Sequence, residues 1–339
     1  MSPNPRTLMR PLVALLGLVL ALVLAGCGGS VEPTAQDEPK TPATDTFPVT
    51  VEHKYGVTTI EAEPTRVVTL GLSDQDAVLA LGVRPVGAVD WFKERPFGKW
   101  SWTKGLWGDA PPEVVGERDE FNVERIAALE PDLIIAQYSG MKKEQYDTLS
   151  QLAPVVAQPK GHEDYQAPWQ EMTRAIGKAL GRSAEAERLI SGIDQRFAEV
   201  RAAHPEWQGK TAVVAEPYDP GTFSAFSPND PKMVFLREMG FTAPEPFVAA
   251  VGEQNVADFS YERLDLLEAD RLVWLVAGPE VEDQLEAEPL YTKLAVSREN
   301  RDLFVPYQDP DIGAALSFNT VLSIPYAIDQ LVPMLEGTR

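Results

Sequence analysis

Most of the residues able to do chemistry in this chain are acids: Asp and Glu number 51 against 30 Lys and Arg, with three His and a single Cys. Paired carboxylates could serve a hydrolase as acid and base, but so many acids form pairs by chance. Neither a Gly-x-Ser-x-Gly nucleophile turn nor a phosphate-cradling glycine loop accompanies them. His53, His162 and His204 fall in three separate segments, a poor basis for holding a bare transition metal. Cys and His are too few for a zinc or iron–sulfur site, and an intrachain disulfide is impossible. A net charge of -21 opposes phosphate and argues against nucleic acid as a partner. No catalytic residue and no metal ligand is expected from these residues.

Two of the acids recur in an internal repeat. Phe121, Glu124, Arg125, Leu129, Glu130 and Asp132 return at a constant offset as Phe259, Glu262, Arg263, Leu267, Glu268 and Asp270. Each copy is expected to hold an N-cap (Asn122, Ser260), a two-turn helix, a break and an apolar strand. Glu124 and Glu262 fall in the first turn, where the helix dipole favours an acid by roughly 0.3–1 kcal/mol with or without a partner.

The elements around the repeat alternate. From residue 47 onward, short β-branched runs exchange with helical periodicity, which predicts an α/β fold. Residues 65–71 read as a strand, Ser73 or Asp74 caps a helix ending at Leu81, and Gly82 stops it before the next strand. Between the two copies, Ala186, Leu189, Ile190, Ile193, Phe197 and Val200 keep helical spacing across 183–204. At 1.5 Å per residue that helix is roughly 33 Å long, enough to cross between lobes. The expectation is an N-terminal α/β lobe (47–182), an interlobe helix (183–204) and a C-terminal α/β lobe (205–339). These would be two Rossmann-like lobes on one long rigid helix, closing modestly on a ligand in the cleft between them.

Residues 1–26 carry Arg6 and Arg10 ahead of an apolar run at 12–24, the pattern of a secretory signal peptide. The run is short for a membrane span. Leu24-Ala25-Gly26-Cys27 resembles the bacterial lipobox, which implies acylation of Cys27 and a lipid anchor on the extracytoplasmic face of the cell membrane. Residues 27–46, rich in Pro, Thr, Gly and acids, read as a flexible tether.

Taken together, Pro64-Thr65-Arg66-Val67-Val68, the run at 124–135, the long helix and Ser317-Phe318-Asn319-Thr320 with Tyr326 resemble a known family. It comprises the substrate-binding lipoproteins of ABC importers for iron–siderophore complexes, with vitamin B12 and haem binders as relatives. The resemblance implies two α/β lobes on one rigid helix, a ferric siderophore as ligand, and delivery to a permease dimer with its ATPase. It also implies a monomer without enzymatic activity or resident cofactor, iron entering only inside the siderophore, and Glu124 and Glu262 docking to permease arginines. Haem or cobalamin is the alternative ligand; a secreted carboxylate-dependent hydrolase is the alternative of another class.

Because such a chelate already satisfies its metal, the site needs flat apolar walls and a few donors. Ligands of open α/β sheets sit beyond the carboxyl ends of strands, where Trp91, Tyr138 and Tyr218 are expected. Trp169, just before a helix, and Phe223, after the strand at 211–215, join them. Trp100, Trp102, Trp107 and Tyr165 are further aromatics of the same clusters. Lys93, Arg95 and Lys232 are the candidate cations. Their scarcity and the net field favour a neutral or cationic hydroxamate chelate over an anionic one.

Overall fold

The computed structural model describes residues 45–91, 100–108 and 111–337. Cys27, Lys93 and Arg95, with the leader and most of the tether, lie outside the described residues.

The N-terminal half opens on a hairpin of β1 (Val49–His53) and β2 (Gly56–Ile60) whose alternating burial turns one face to the protein. A six-stranded sheet follows, built from β3 (Val67–Thr69), β4 (Gly87–Asp90), β5 (Glu113–Glu117), β6 (Glu120–Phe121), β7 (Leu133–Ile135) and β8 (Val155–Val156). Its order is β6-β5-β4-β3-β7-β8, parallel except for β6. Helices α1 (Asp74–Ala80), α2 (Val123–Ala128), α3 (Lys143–Leu149) and α4 (Trp169–Ala179) connect and cover it. Strand β3 sits centrally with successors added on both sides, so the order reverses between β3 and β7. That reversal is the switch point where doubly wound sheets bind ligands.

Helix α5 (Ser183–Ala203) leads to the second half. There β9 (Ala212–Pro217), α6 (Pro231–Glu238), α7 (Glu245–Val251), α8 (Pro279–Glu286), α9 (Ala295–Arg298), α10 (Ile312–Phe318) and α11 (Ser323–Gly337) combine with four more strands. These are β10 (Thr222–Phe226), β11 (Val256–Ser260), β12 (Arg271–Val276) and β13 (Asp302–Pro306). The order is β11-β10-β9-β12-β13, with β9, β12 and β13 parallel and β10 and β11 antiparallel. Strand β9 therefore has the place in this sheet that β3 has in the first, and the second switch point falls between β9 and β12. Residues 212–215 are buried without alternation because helices cover both faces of the parallel strands.

The repeat explains the symmetry. Asp132 accepts hydrogen bonds from the Thr65 amide, the Thr65 hydroxyl and the Arg66 amide, each at 2.8 Å, tying the entry of β7 to that of β3. Asp270 does the same for β12 and β9, accepting from the Thr211 amide at 2.8 Å and the Thr211 hydroxyl at 3.0 Å. The copies diverge in their helices. Asn122 caps α2 by accepting from the Arg125 amide at 3.0 Å. Residues Tyr261–Leu267 form a 3-10 segment kinked at Arg263, and Ser260 makes no side-chain cap. Three buried leucines at 264, 266 and 267 do not share one face of an α-helix, and the tighter winding accommodates them.

Helix α5 joins the two lobes. Near its start Glu187 receives Arg174 of α4 at 2.7 Å, whereas toward its end Arg196 pairs with Asp329 of α11 and Arg201 donates to the Glu238 carbonyl of α6. Ile190, Ile193, Phe197 and Val200 lie in one apolar cluster that runs unbroken from β1 to α11. Both halves therefore share one core.

Candidate functional site

Asp74, at the start of α1, is buried at the first switch point. It accepts hydrogen bonds from the Gln137 and Tyr138 amides at 2.7 and 3.0 Å, which fixes the chain leaving β7 and aims Tyr138. Burial pushes the Asp74 carboxyl up to about 6, against these amide bonds, which pull it down. The Tyr138 ring packs against Trp91 (6.2 Å) and edge-on to Tyr165 (5.4 Å). Tyr165 in turn donates to Asp119, which also accepts the Gly140 amide at 2.8 Å.

Tyr138 faces the other lobe. Burial raises its hydroxyl well above the usual phenol range, with Asp230 and Tyr307 adding to the shift and the Arg118 guanidinium opposing it. Tyr307, at the carboxyl end of β13, is raised by the same cause and feels Glu216, Asp230 and Arg118. The two halves also meet side chain to side chain, with Trp91 against Phe318 at 5.1 Å. Between them, a cavity of about 80 Å³ is lined by Tyr138 and Trp169 on one side and Pro231 and Phe318 on the other. The Trp169 indole N–H is buried there without a hydrogen-bond partner among the described residues.

A larger cavity, about 620 Å³, opens at the second switch point. Glu216 and Tyr218 border it after β9, Ala277 after β12, and Tyr307 after β13, with Tyr261 and Val281 completing the wall. Its size suits a small organic ligand. No group of three or more His, Cys, Asp or Glu able to hold a metal occurs among the described residues.

The structure sorts the residues expected from sequence. Trp91, Tyr138 and Trp169 stand together at the interlobe region, and Tyr218 is 68% exposed on the rim of the larger cavity. Phe223 is elsewhere: its ring is fully enclosed between Phe259 (5.7 Å) and Trp274 (6.1 Å), because position 223 of β10 points into the sheet core. Trp100 and Trp102 form an interlobe seam rather than a wall. They stack at 5.0 Å, and Phe318 meets both edge-on. Trp107 is buried beside Leu79 and Ala88. Lys232 is buried, paired with Asp230 at 3.0 Å and held over the Phe226 ring. Glu124 and Glu262 are both exposed in the first turn of their segments.

Arg118 and Tyr307 escaped the sequence reading. Tyr307 follows a strand, so the rule that selected Tyr138 applies to it equally. Arg118 sits at the β5–β6 turn with φ 52°, inside the run Glu117-Arg118-Asp119-Glu120, which reads as a solvated corner.

Two doubly wound lobes facing a shared cleft define a bilobal ligand-binding protein. The chain belongs to the periplasmic binding protein family, whose model matches residues 67–303. It is 36% identical to a periplasmic solute binding protein from Mycobacterium smegmatis of known structure (TM-score 0.76), over 86% of this chain and 98% of that one. It is 30% identical over 240 residues to YfiY of Bacillus subtilis, named as a siderophore-binding lipoprotein, covering 70% of this chain and 69% of that one. A third relative, YhfQ of the same organism, is named as an ABC transporter substrate-binding lipoprotein. It is 32% identical over 192 residues, 57% of this chain and 55% of YhfQ, so the match spans little more than half of that relative.

Proposed function

We propose that this chain captures a ferric siderophore outside the cytoplasmic membrane and delivers it to an ABC importer. The observation that carries the reading is the cavity that Tyr138 and Trp169 line from one lobe and Pro231 and Phe318 from the other. Flat rings suit the walls of a bulky chelate. The Arg118 guanidinium makes no side-chain ion pair or hydrogen bond among the described residues, and it meets the metal-bound oxygens of the ligand. In this reading iron enters only within the siderophore, and neither a protein iron ligand nor a resident cofactor is required. The names of YfiY and YhfQ support the same role.

Residues 47–182 and 205–339 act as the two lobes about the helix at 183–204. Glu124 and Glu262, on equivalent segments, dock to arginines of the permease dimer, whose ATPase drives transport. Acylated Cys27 holds the monomeric protein at the membrane, and residues 27–46 give it reach. Among the described residues no helix is long and apolar enough to cross a membrane.

Tryptophan fluorescence titration against ferric hydroxamates, ferric catecholates, ferric citrate, haem and cobalamin tests the ligand. Saturable quenching by a ferric siderophore is expected. Quenching by haem or cobalamin alone replaces the ligand, and a flat response to all of them ends the proposal.

A further inference from the structure

The cavity at the second switch point carries Glu216 and Asp219 and no Lys or Arg among its described lining residues. Neither carboxylate makes a side-chain hydrogen bond or ion pair among the described residues. Lys232 attracts Glu216 at a distance but is committed to Asp230 at 3.0 Å and shielded over Phe226. Asp230 opposes even that attraction. Burial therefore holds the Glu216 carboxyl above its ordinary range, the signature of an acid partly removed from water without a counter-charge. Tyr218, Tyr261 and Tyr307 surround the same space. Their ring faces attract a cation as a carboxylate does.

Resting on the siderophore reading above, we infer that the chelate carries a protonated amine on a flexible arm, which enters the second cavity to meet Glu216 and Asp219. The ligand class is a ferric trihydroxamate with a free primary amine. Three hydroxamate anions neutralise the ferric ion, so the whole complex bears one positive charge, carried by the ammonium at the end of the arm. Ferric tris-catecholate and ferric dicitrate complexes are anionic and would place negative charge against the two acids, where unlike pairing is replaced by repulsion.

The probes are ferric desferrioxamine B, which has such an ammonium, and its N-acetyl derivative, which has the same chelate core and no charge on the arm. Titration calorimetry on the full folded chain at low and high salt compares them, with ferric dicitrate as the anionic control. Acetylation should weaken binding about tenfold or more, equivalent to about 1.4 kcal/mol, because a hydrogen bond to a charged group is lost. The ratio between the two probes should fall below about twofold in Glu216→Gln with Asp219→Asn, and should shrink with salt in the wild type. Asp219→Asn alone, at an exposed position, gives a partial loss of discrimination should the double variant fold poorly.

Equal binding of both probes, discrimination that survives the double variant, or tighter binding of ferric dicitrate overturns the inference and leaves siderophore capture standing. Failure to bind any ferric chelate overturns both.

Discussion

Asp76 of α1 and Thr320, just after α10, are joined by a 2.6 Å hydrogen bond from the Thr hydroxyl to Oδ2, across 244 positions of chain. The same oxygen accepts the Trp102 indole N–H at 2.8 Å, so one carboxylate ties the N-terminal helix, the tryptophan seam and the C-terminal lobe. Its Oδ1 is buried without a partner among the described residues. Burial pushes this carboxyl up to about 7; the Thr320 and Trp102 bonds pull it down, and Asp74 adds to the rise.

A pH dependence follows from Asp76 and Asp74. Both bind protons more tightly in the folded chain than in the unfolded one, where carboxyls titrate near 4. Their contribution is therefore full below pH about 4 and falls as pH rises through about 6 and then about 7. The thermal midpoint should be several degrees lower at pH 8 than at pH 5.5, and Asp76→Asn should flatten most of that slope. A wild-type midpoint that rises from pH 5.5 to pH 8 would show that these acids do not dominate the profile.

The seam gives a second expectation. Trp102→Phe keeps the ring against Phe318 but removes the indole bond to Asp76, and should cost about 1–3 kcal/mol in urea unfolding. In Asp76→Asn the same change should cost clearly less, since the two residues share one interaction. Additive losses would place the stabilising effect of Trp102 in packing alone.

The paired aspartates lend themselves to comparison. Asp132→Ala and Asp270→Ala each free a strand entry from two or three hydrogen bonds, all of them partly solvated, so each should cost about 1–2 kcal/mol. Guanidinium denaturation measures both. A loss at one position only would mean that the repeat is not energetically symmetric.

Much of this architecture was legible in the sequence, and the particulars show why. The identical spacing of Phe, Glu, Arg, Leu, Glu and Asp in the two copies encodes a shared strand-entry clamp, because Asp132 and Asp270 must each reach a Thr one strand away. Strand-end geometry pointed to Tyr138, and a place just before a helix to Trp169. Phe223 misled because a position just beyond the 211–215 run lies in the hairpin return strand β10, where alternate side chains face the core. Arg118 was hidden because it lies in the charged run Glu117-Arg118-Asp119-Glu120, which reads as a solvated corner.

Arg118 supplies a direct binding prediction. Arg118→Ala should weaken ferric chelate binding by about tenfold to a hundredfold, with the thermal midpoint unchanged, since its side chain makes no intramolecular bond among the described residues. Calorimetric titration at constant salt measures it. An unchanged affinity would move the chelate away from this wall of the cleft.

Docking makes a separate prediction. Glu124→Ala with Glu262→Ala should leave chelate affinity within about twofold and reduce uptake by cells at least tenfold, as both acids are exposed at helix starts. Radiolabelled iron uptake alongside in vitro binding separates the two effects. Loss of binding would reassign both acids to the ligand.

Amide hydrogen exchange with and without a saturating ferric chelate tests the account at its centre. New protection should appear at residues 137–141, 165–170, 216–220 and 307–308, on both sides of the cleft, and nowhere of comparable size. Protection confined to one lobe, or located away from these segments, would contradict capture between the lobes.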